Sequence, residues 1–310
     1  TLFRSVAART YAYREIYNKK YDSLGYVVDD STMSQVYNNQ RTNDRSDQAI
    51  RETKGITMFN NGLPIIAYYY STSSGLTANG NEVWIDNGVI EEIPYLLGKN
   101  LTNKVFDALS EESMLEFFKT INMETPSKNS SFFRWMVTMN KEQLRNTLNV
   151  NLKNMIPQYP DSYLVLENNE WVKKDYSNGF PNDIGKVNKI YVSERGESGV
   201  VVSLVVEAEN VTFKIYNQYN IRFTIRPRTS DCGSPVTTKT AKAYDNTYTG
   251  SNTNASILYS GFFAIEEKDG NILFYGGGNG HGVGMCQYST HYYGSNGWKY
   301  DEILKQFYSN

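Results

Sequence analysis

The chain has 310 residues, a formal net charge of −2 at pH 7, two cysteines and two histidines. This length suits one large domain or two lobes, and the near-neutral charge without a basic block argues against nucleic-acid or anionic-membrane partners. No apolar stretch approaches the roughly 18 residues that a transmembrane helix needs, so no membrane span is predicted.

The cysteines and the 25 tyrosines give two further indications. Cys232 and Cys286 are too few for a disulfide scaffold and lack the spacing of a metal site. They fit either one disulfide or two free thiols, and the sequence leaves both open. Tyrosine combines an apolar ring with a hydrogen-bonding tip, which suits polar, ring-shaped ligands such as sugars, although aromatic residues also fill cores.

The N-terminal part of the chain predicts a helix and a hairpin. Apolar residues at helical spacing predict a helix over 1–20, on which Glu15 is expected to face solvent, as is Glu52 further along. Two strand-like runs within 57–70 are separated by Asn60-Asn61-Gly62, which predicts a β-hairpin.

The middle of the chain predicts helices first and strands afterwards. Ser110 begins a predicted helix that ends near Ile121, and Asn140 caps another that runs to about 152. Pro, Asn, Asp and Gly without periodicity make 159–183 the best candidate for a linker. The Thr- and Ser-rich run 229–255 is interpreted as an insertion or long loop. The predicted strands that lie between these two segments are 187–193, 199–207 and 211–216.

A glycine-rich segment, Gly276–Tyr288, follows a predicted strand over 272–275. Six of its first nine residues are glycine, which lets the backbone take positive φ and approach another surface closely. His281 lies between two glycines, so we expect its imidazole to be unobstructed, and a helix is expected from Val283. The segment lacks the lysine and hydroxyl that close a phosphate loop, and it lies too late in the chain for a dinucleotide motif.

The string GHGVGMCQY within this segment closely resembles GHGVGMSQYG, the signature of the SpoIID/LytB family of bacterial cell-wall proteins. Cys286 replaces the usual Ser, and Ser289 the usual Gly. The segment 5–12 also resembles the AVAARTYA helix of that family, and the resemblance covers nearly the whole chain, loosely between 98 and 183.

Strand-rich and helical stretches together predict an α+β fold with antiparallel sheets and flanking helices. The resemblance implies one SpoIID-like domain over 1–310. Sub-lobes 1–160 and 184–310 around a glycan cleft, joined by the irregular segment 159–183, are an alternative arrangement of that domain.

The resemblance implies a lytic transglycosylase that cuts the MurNAc–GlcNAc β-1,4 bond of peptidoglycan without water and leaves a 1,6-anhydro sugar. This chemistry needs a carboxylic acid that protonates the glycosidic oxygen. The family's catalytic Glu is expected about ten residues before Thr1, so it is not in the given sequence. The alternative is a non-catalytic glycan-binding protein or an activator of a cell-wall amidase, and the upstream sequence would discriminate between them.

Within the chain, Glu82 is the one carboxylate we consider as a replacement acid, against the alternative of a solvated or salt-bridged turn residue. His281 is expected to position the sugar or the proton of the acid. The residues for which the resemblance and the chemistry of sugar recognition imply substrate binding are Arg9, Gln35, Tyr70, Ser73, Ser74, Thr77, His281, Gln287 and Tyr288.

The resemblance also implies where the protein acts and with what. Relatives that carry zinc ligands have His at the position of Tyr70 or Cys among the small residues near Ser74, and this chain has neither, so we predict no metal and no cofactor. Peptidoglycan glycan strands are the expected ligand and a cell-wall amidase a candidate partner. The expected location is outside the cytoplasm, at the cell wall or anchored to the membrane.

Overall fold

The computed structural model describes residues 1–19, 21–31, 34–36, 41, 43–84, 92–174 and 180–309. Within that part the fold is α+β, as the sequence predicts. The helices are α1 (Leu2–Asn18), α2 (Asp44–Glu52), α3 (Gly80–Val83), α4 (Glu111–Lys119), α5 (Lys141–Met155), α6 (Gln218–Thr224), α7 (Thr229–Cys232), α8 (Gln287–Ser295) and α9 (Tyr300–Tyr308). Among these described helices, none is both long and apolar enough to cross a bilayer.

The strands are mostly short and nearly all antiparallel. They are β1 (Phe59–Asn60), β2 (Leu63–Pro64), β3 (Tyr69–Tyr70), β4 (Arg134–Asn140), β5 (Tyr163–Glu167), β6 (Glu170–Lys173), β7 (Val187–Arg195), β8 (Val201–Ala208), β9 (Thr212–Tyr216), β10 (Thr238–Ala241), β11 (Gly250–Asn252), β12 (Phe263–Lys268), β13 (Asn271–Gly276) and β14 (Met285–Cys286).

Two five-stranded antiparallel sheets form the body of the molecule. The first has the order β11-β10-β4-β13-β12 and the second β6-β5-β9-β8-β7. One large apolar core joins the inner faces of both sheets with α5, including Trp135 of β4, Leu148 of α5 and Phe213 of β9. A second core lies around α1, α4 and α9 and contains Ala7, Phe118 and Val283 among others.

Local sequence signals place several elements correctly. Ser110 caps α4 by accepting a hydrogen bond from the Ser113 N–H. Asn140 and Gln143 form a complete capping box at the start of α5, in which each side chain bonds the other residue's backbone N–H. The hairpin is confirmed but shorter than predicted, because β1 and β2 each have two residues and Tyr69–Tyr70 pairs elsewhere.

Two segments that we predicted as irregular contain strands. Within 159–183, β5 and β6 form a hairpin, and β5 pairs with β9 of the second sheet, so this stretch is not a linker. Its residues 175–179 lie outside the described part of the chain. Within 229–255, β10 lies between β4 and β11 in the first sheet. Threonine supplies the β-branched side chains of β10. Because the segment is polar, its sequence resembles that of a loop and does not indicate a strand. The division into two lobes stays a prediction.

The glycine-rich segment is held by the second core. Its residues Met285–Cys286 form β14, which pairs in parallel with β3, and isolated bridges join Asn279 to Thr72 and Val283 to Ala78. The helix expected from Val283 therefore begins later, at Gln287. This pairing brings the C-terminal part of the chain against residues 69–78 and defines the candidate site.

Candidate functional site

The glycine-rich segment 276–288, from here on called the glycine loop, passes so close to neighbouring groups that a side chain would not fit at several of its glycines. At Gly284, φ is +72° and a Cβ atom would lie 2.3 Å from the Tyr68 carbonyl oxygen. At Gly282, φ is +86° and a Cβ would lie 2.5 Å from the Phe262 ring. Glycine is required at such positions because other residues avoid positive φ and cannot occupy the space. The glycines of the signature therefore serve packing in this chain.

Both ring nitrogens of His281 are bonded within the chain, which corrects the expectation of an unobstructed imidazole. Nδ1 accepts the Val283 N–H at 3.1 Å, so the ring proton is on Nε2, which donates to the Tyr69 carbonyl oxygen at 3.1 Å. This pattern requires the neutral Nε2–H tautomer. Desolvation lowers the pKa of His281 to about 4, although the bond to Tyr69 opposes that shift. At neutral pH the imidazole is uncharged and fixed in orientation.

Three aromatic rings surround this imidazole. The ring centroids of Trp84, Tyr70 and Tyr68 lie 5.1, 5.5 and 5.8 Å from that of His281. Trp84 stacks on Tyr68 with 4.1 Å between centroids, and 38% of the Trp84 surface is exposed. We call Trp84, Tyr68 and the partly exposed His281 the aromatic surface. An exposed indole backed by a second ring is a preformed, low-entropy contact for a flat apolar face of a ligand.

The hydroxyl-rich loop from Ser71 to Thr77 is internal. Ser73 Oγ accepts the Gly75 N–H at 2.9 Å, and Ser74 Oγ accepts the Leu76 N–H at 3.3 Å. Thr77 Oγ1 accepts the Lys99 N–H at 2.8 Å. All three residues are buried, and their hydroxyls accept backbone N–H groups of the loop itself or, for Thr77, of Lys99.

A buried arginine holds the same loop. Arg134 donates to the carbonyl oxygens of Ser74 at 2.7 Å and Thr120 at 2.9 Å, and its guanidinium lies 4.0 Å from the centroid of the Phe133 ring. Burial lowers its pKa to about 9, which still leaves the group protonated at neutral pH. Carbonyl oxygens satisfy the charge in place of a carboxylate.

Tyr70 is also part of the packed interior. It is 4% exposed, its hydroxyl has no hydrogen-bond partner among the described residues, and burial raises its pKa well above the ordinary value. Its ring therefore has no free face on which a sugar could stack, and its observed contact is with His281.

Cys286 joins the loop to the helix that follows. Its Sγ accepts the Ser73 N–H at 3.1 Å and the Ser289 N–H at 3.3 Å, and the second bond caps the N-terminus of α8. The Ser127 hydroxyl lies 3.3 Å from the same sulfur. Cys232 is a separate buried thiol, so both cysteines are free. Cys286 thus occupies a capping position in which serine hydroxyls are common.

Residues of α1 approach the site from the other side. Tyr11 packs against Tyr68 with 6.0 Å between ring centroids. Gln35 donates to the Ala8 carbonyl at 3.1 Å and accepts the Tyr69 hydroxyl at 2.8 Å. Since the Tyr69 carbonyl also binds His281, strand β3 connects α1 to the glycine loop. Thr32, Met33 and Tyr37 of the segment around Gln35 lie outside the described residues.

Arg9 lies on a different face of α1. It donates to the carbonyl oxygens of Thr53 at 2.6 Å and Ile56 at 3.0 Å, which fixes the end of α2 against α1. A residue two positions from Tyr11 is rotated by about 160° around the helix, so Arg9 points away from Tyr68. A shared cleft for α1 and the glycine loop stays a prediction, although both contact β3.

The carboxylate of Glu82 is bonded within its own surroundings. Oε1 accepts Asn79 Nδ2 at 2.8 Å, and Oε2 accepts the Ser198 hydroxyl in a short contact. The backbone N–H of Ser198 lies within 3.4 Å of Oε1. These bonds tie α3 to the turn between β7 and β8. Glu82 thus stabilises this turn, and both of its carboxylate oxygens already accept hydrogen bonds.

Glu15 does not face solvent as we expected. It is 5% exposed because it lies four residues after Tyr11, on the buried face of α1. Asn18 donates to Oε1 at 3.2 Å, whereas Oε2 has no partner among the described residues. Its negative charge contributes, after desolvation, to raising the pKa of Tyr68 to about 12.

The last two nominated residues lie at the start of α8. Gln287 is the first residue of the helix and is partly exposed, and Tyr288 is 42% exposed. The Tyr288 N–H donates to the Ser71 carbonyl at 3.1 Å, so the helix start is fixed while the phenol ring faces outward. Of the nominated side chains, Tyr288 is the aromatic one that solvent reaches.

The sequence reasoning did not nominate Trp84 and Tyr69, which the structure makes central. Tyr69 lies within the predicted hairpin 57–70, and Trp84 follows the considered Glu82 by two positions. Their roles depend on Tyr68 and His281, which are distant in sequence, so no local pattern could have found them. In the described part of the chain, no three His, Cys, Asp or Glu side chains gather as a metal site would require.

Comparison with known proteins bears on this arrangement. The family model described as "Stage II sporulation protein" (SpoIID) matches residues 4–59, which span α1, α2 and the start of the hairpin. A curated Bacillus subtilis (strain 168) protein named "Amidase enhancer" is 23% identical over 317 residues, covering 98% of this chain. The resemblance to the SpoIID/LytB family is confirmed.

A second similar protein is an uncharacterized protein of Brachyspira hyodysenteriae (strain ATCC 49526 / WA1). It is 23% identical over 307 residues, which cover 99% of this chain. The chain spans 36% of the length of the amidase enhancer and 58% of the length of the Brachyspira protein. Both alignments extend well beyond the matched segment 4–59, so they include the glycine loop that the family model leaves out.

Proposed function

We propose that this chain acts at the bacterial cell wall by binding peptidoglycan glycan strands. The observation that carries the proposal is the aromatic surface: Trp84 is stacked on Tyr68 at 4.1 Å, remains partly exposed, and lies beside the neutral imidazole of His281. A pyranose ring offers apolar C–H faces to such an indole and hydroxyl groups to polar atoms at its rim. The name of the Bacillus relative supports a cell-wall role.

Strand cleavage as a lytic transglycosylase is the reaction we propose for the full protein. It requires an acid that protonates the glycosidic oxygen. Two described carboxylates lie near the aromatic surface, and we assign neither to that role, because Glu82 holds a turn and Glu15 is only 5% exposed. The catalytic Glu would therefore be supplied by chain outside these 310 residues. His281 would then act by shape and position, because both of its nitrogens are already bonded.

A second candidate function is enhancement of a cell-wall amidase without glycan cleavage. It is favoured by the name of the Bacillus relative, "Amidase enhancer". In this case the same aromatic surface would hold a strand while the partner removes its peptides. Both candidates place the protein outside the cytoplasm, and both require glycan binding as their first step.

One series of measurements tests binding and separates the two reactions. Purified glycan strands freed of peptides are titrated into the protein while tryptophan fluorescence is followed, and binding should saturate. The full-length protein is then incubated with the same strands, and the products are examined by mass spectrometry for 1,6-anhydro ends. Anhydro products support the transglycosylase, whereas faster peptide release by an added amidase without such products supports the enhancer. Absence of glycan binding would refute both.

A further inference from the structure

A groove of about 480 Å³ opens beside the first turns of α1. Its lining includes the ring of Tyr69, the side chain of Val36 and three charged residues, Arg4, Asp29 and Asp30. Volumes of roughly 300–1,000 Å³ are typical of small-molecule sites. The groove and the aromatic surface share strand β3, since Tyr69 lines the groove and its carbonyl oxygen accepts a hydrogen bond from His281.

Of the three charged residues, Asp29 is already hydrogen-bonded within the wall of the groove. Asp29 accepts hydrogen bonds from the Tyr21 hydroxyl at 2.8 Å and from the Ser31 N–H and hydroxyl at 2.8 and 2.7 Å. Gln35 is likewise engaged, since Tyr69 donates to its oxygen and its nitrogen donates to Ala8. These bonds hold Tyr69 and the segment around Asp29 in place.

The other two charges are of opposite sign and are both exposed. Arg4 lies over the Tyr69 ring, with its guanidinium carbon 5.9 Å from the ring centroid. Among the described residues, the side chains of Arg4 and Asp30 make no hydrogen bond or ion pair, either with each other or with another residue. The groove therefore presents one cation and one carboxylate that do not form an ion pair with each other.

We propose that this groove binds a zwitterionic α-amino-acid group, with Arg4 contacting its carboxylate and Asp30 its ammonium. A guanidinium binds a carboxylate through two parallel hydrogen bonds. A simple anion would be repelled by Asp30 and a simple cation by Arg4, whereas a zwitterion satisfies both. Tyr69 and Val36 supply apolar contact for the rest of the ligand.

This inference rests on the proposed function for the source of the ligand. In peptidoglycan, the diamino acid of an uncrosslinked stem peptide ends in a carbon that carries both a free amine and a free carboxylate. The groove would hold such an end while the neighbouring aromatic surface holds the glycan. A free amino acid has the same chemistry, so the experiment must distinguish these two sources.

The test is a calorimetric titration of the protein with the stem tripeptide L-Ala-γ-D-Glu-meso-diaminopimelate. Two analogues are used beside it. Both are modified at the end carbon of diaminopimelate that carries the free amine and the free carboxylate. In one analogue that carboxylate is amidated, and in the other that amine is acetylated. Amidation should weaken binding by roughly 10- to 100-fold in the wild type, the range for a lost charged hydrogen bond, and should have no further effect in Arg4→Gln. Acetylation should behave in the same way with Asp30→Asn.

Arg45→Gln and Asp269→Asn are the matched controls, since both residues are exposed and Asp269 is at a hairpin turn where Asn also tolerates positive φ. They should bind the tripeptide like the wild type. Wild-type affinity that ignores both modifications, or Arg4→Gln and Asp30→Asn proteins that bind normally, would overturn the proposal. Equal affinity for free diaminopimelic acid would overturn the stem-peptide source.

Titration with peptide-free glycan strands separates this inference from the proposed function. Loss of tripeptide binding with normal glycan binding would refute the groove alone. Loss of glycan binding with normal tripeptide binding would refute the aromatic surface alone.

Discussion

At the scale of single residues, His281 is the clearest case in which structure changes the interpretation. The signature suggests a free imidazole whose replacement would cost less than about 1 kcal/mol. In the structure the ring makes two hydrogen bonds and contacts three aromatic rings. A side chain of this kind contributes both to orientation of the site and to stability.

We therefore predict that His281→Ala lowers the free energy of unfolding by about 2–4 kcal/mol, because it leaves the Tyr69 carbonyl and Val283 N–H unpaired and opens a cavity. Urea denaturation at pH 7 measures this change. The control is His291→Ala, since His291 is exposed on α8 and should cost less than about 0.5 kcal/mol. Equal stability of the two variants would show that the observed bonds do not hold His281 in solution.

The same histidine predicts a dependence on pH. Its pKa is about 4 in the folded protein and about 6.5 when unfolded, so the folded state binds fewer protons between these values. The stability from His281 is fully present above pH 6.5 and is lost as pH falls towards 4. The difference in unfolding free energy between wild type and His281→Ala should shrink by about 3 kcal/mol from pH 7 to pH 4. A difference that stays constant would contradict the lowered pKa.

At the scale of elements, the glycine loop is fixed by close backbone contacts. We predict that Gly284→Ala costs at least about 2 kcal/mol more than Gly297→Ala in unfolding free energy. Both glycines have positive φ, but the new Cβ would meet Tyr68 at 2.3 Å at position 284 and nothing within 4 Å at position 297. The strain of positive φ is thus common to both variants, and the difference isolates the overpacking. Similar denaturation midpoints would show that the loop can move away from Tyr68.

The start of α8 gives another prediction. Cys286→Ser should keep the cap and cost less than about 1 kcal/mol, whereas Cys286→Ala should cost about 1–2 kcal/mol more than the serine variant. The physical reason is that Sγ accepts the N–H groups of Ser73 and Ser289. Thermal denaturation of the two variants, with Cys232→Ala to report loss of a buried thiol elsewhere, measures the difference. Indistinguishable serine and alanine variants would mean that the cap contributes little.

Elements with strong local signals could be predicted from the sequence, and elements defined by distant partners could not. Asn140 and Gln143 mark the start of α5 by themselves, and the two turn residues Asn61 and Gly62 mark the hairpin. Strand β10 is a different case, because Thr238–Ala241 becomes a strand through pairing with β4, about a hundred residues earlier. Its Thr-rich sequence resembles a loop unless that partner is known.

The candidate site follows the same division. The hydroxyls of Ser73, Ser74 and Thr77 could in principle bind a sugar, but each already accepts a hydrogen bond from a backbone N–H group. Trp84 became a candidate only when its stacking on Tyr68 was seen. Hydrogen-bond partners and exposure depend on tertiary packing, which one sequence does not encode locally.

At the scale of the whole molecule, the glycine loop and α1 meet on strand β3, which lies between an aromatic surface and a charged groove. Parallel pairing of β3 with β14 brings residues more than 200 positions apart into contact. This arrangement gives the chain two surfaces of different chemistry beside one strand, and our proposals assign them to the sugar rings and to the charged peptide branches of the same polymer.

The central claim is that Trp84 contacts glycan, and a pair of tryptophan variants tests it most directly. Trp84 and Trp298 are exposed to 38% and 40%, and each packs on a tyrosine, with centroids 4.1 and 4.5 Å apart. We predict that Trp84→Ala weakens binding of peptide-free glycan strands by about tenfold, or ~1.4 kcal/mol, whereas Trp298→Ala binds like the wild type. Calorimetric titration of both folded variants gives the answer. Equal affinities for the two variants would contradict the assignment of the aromatic surface as the glycan-binding site.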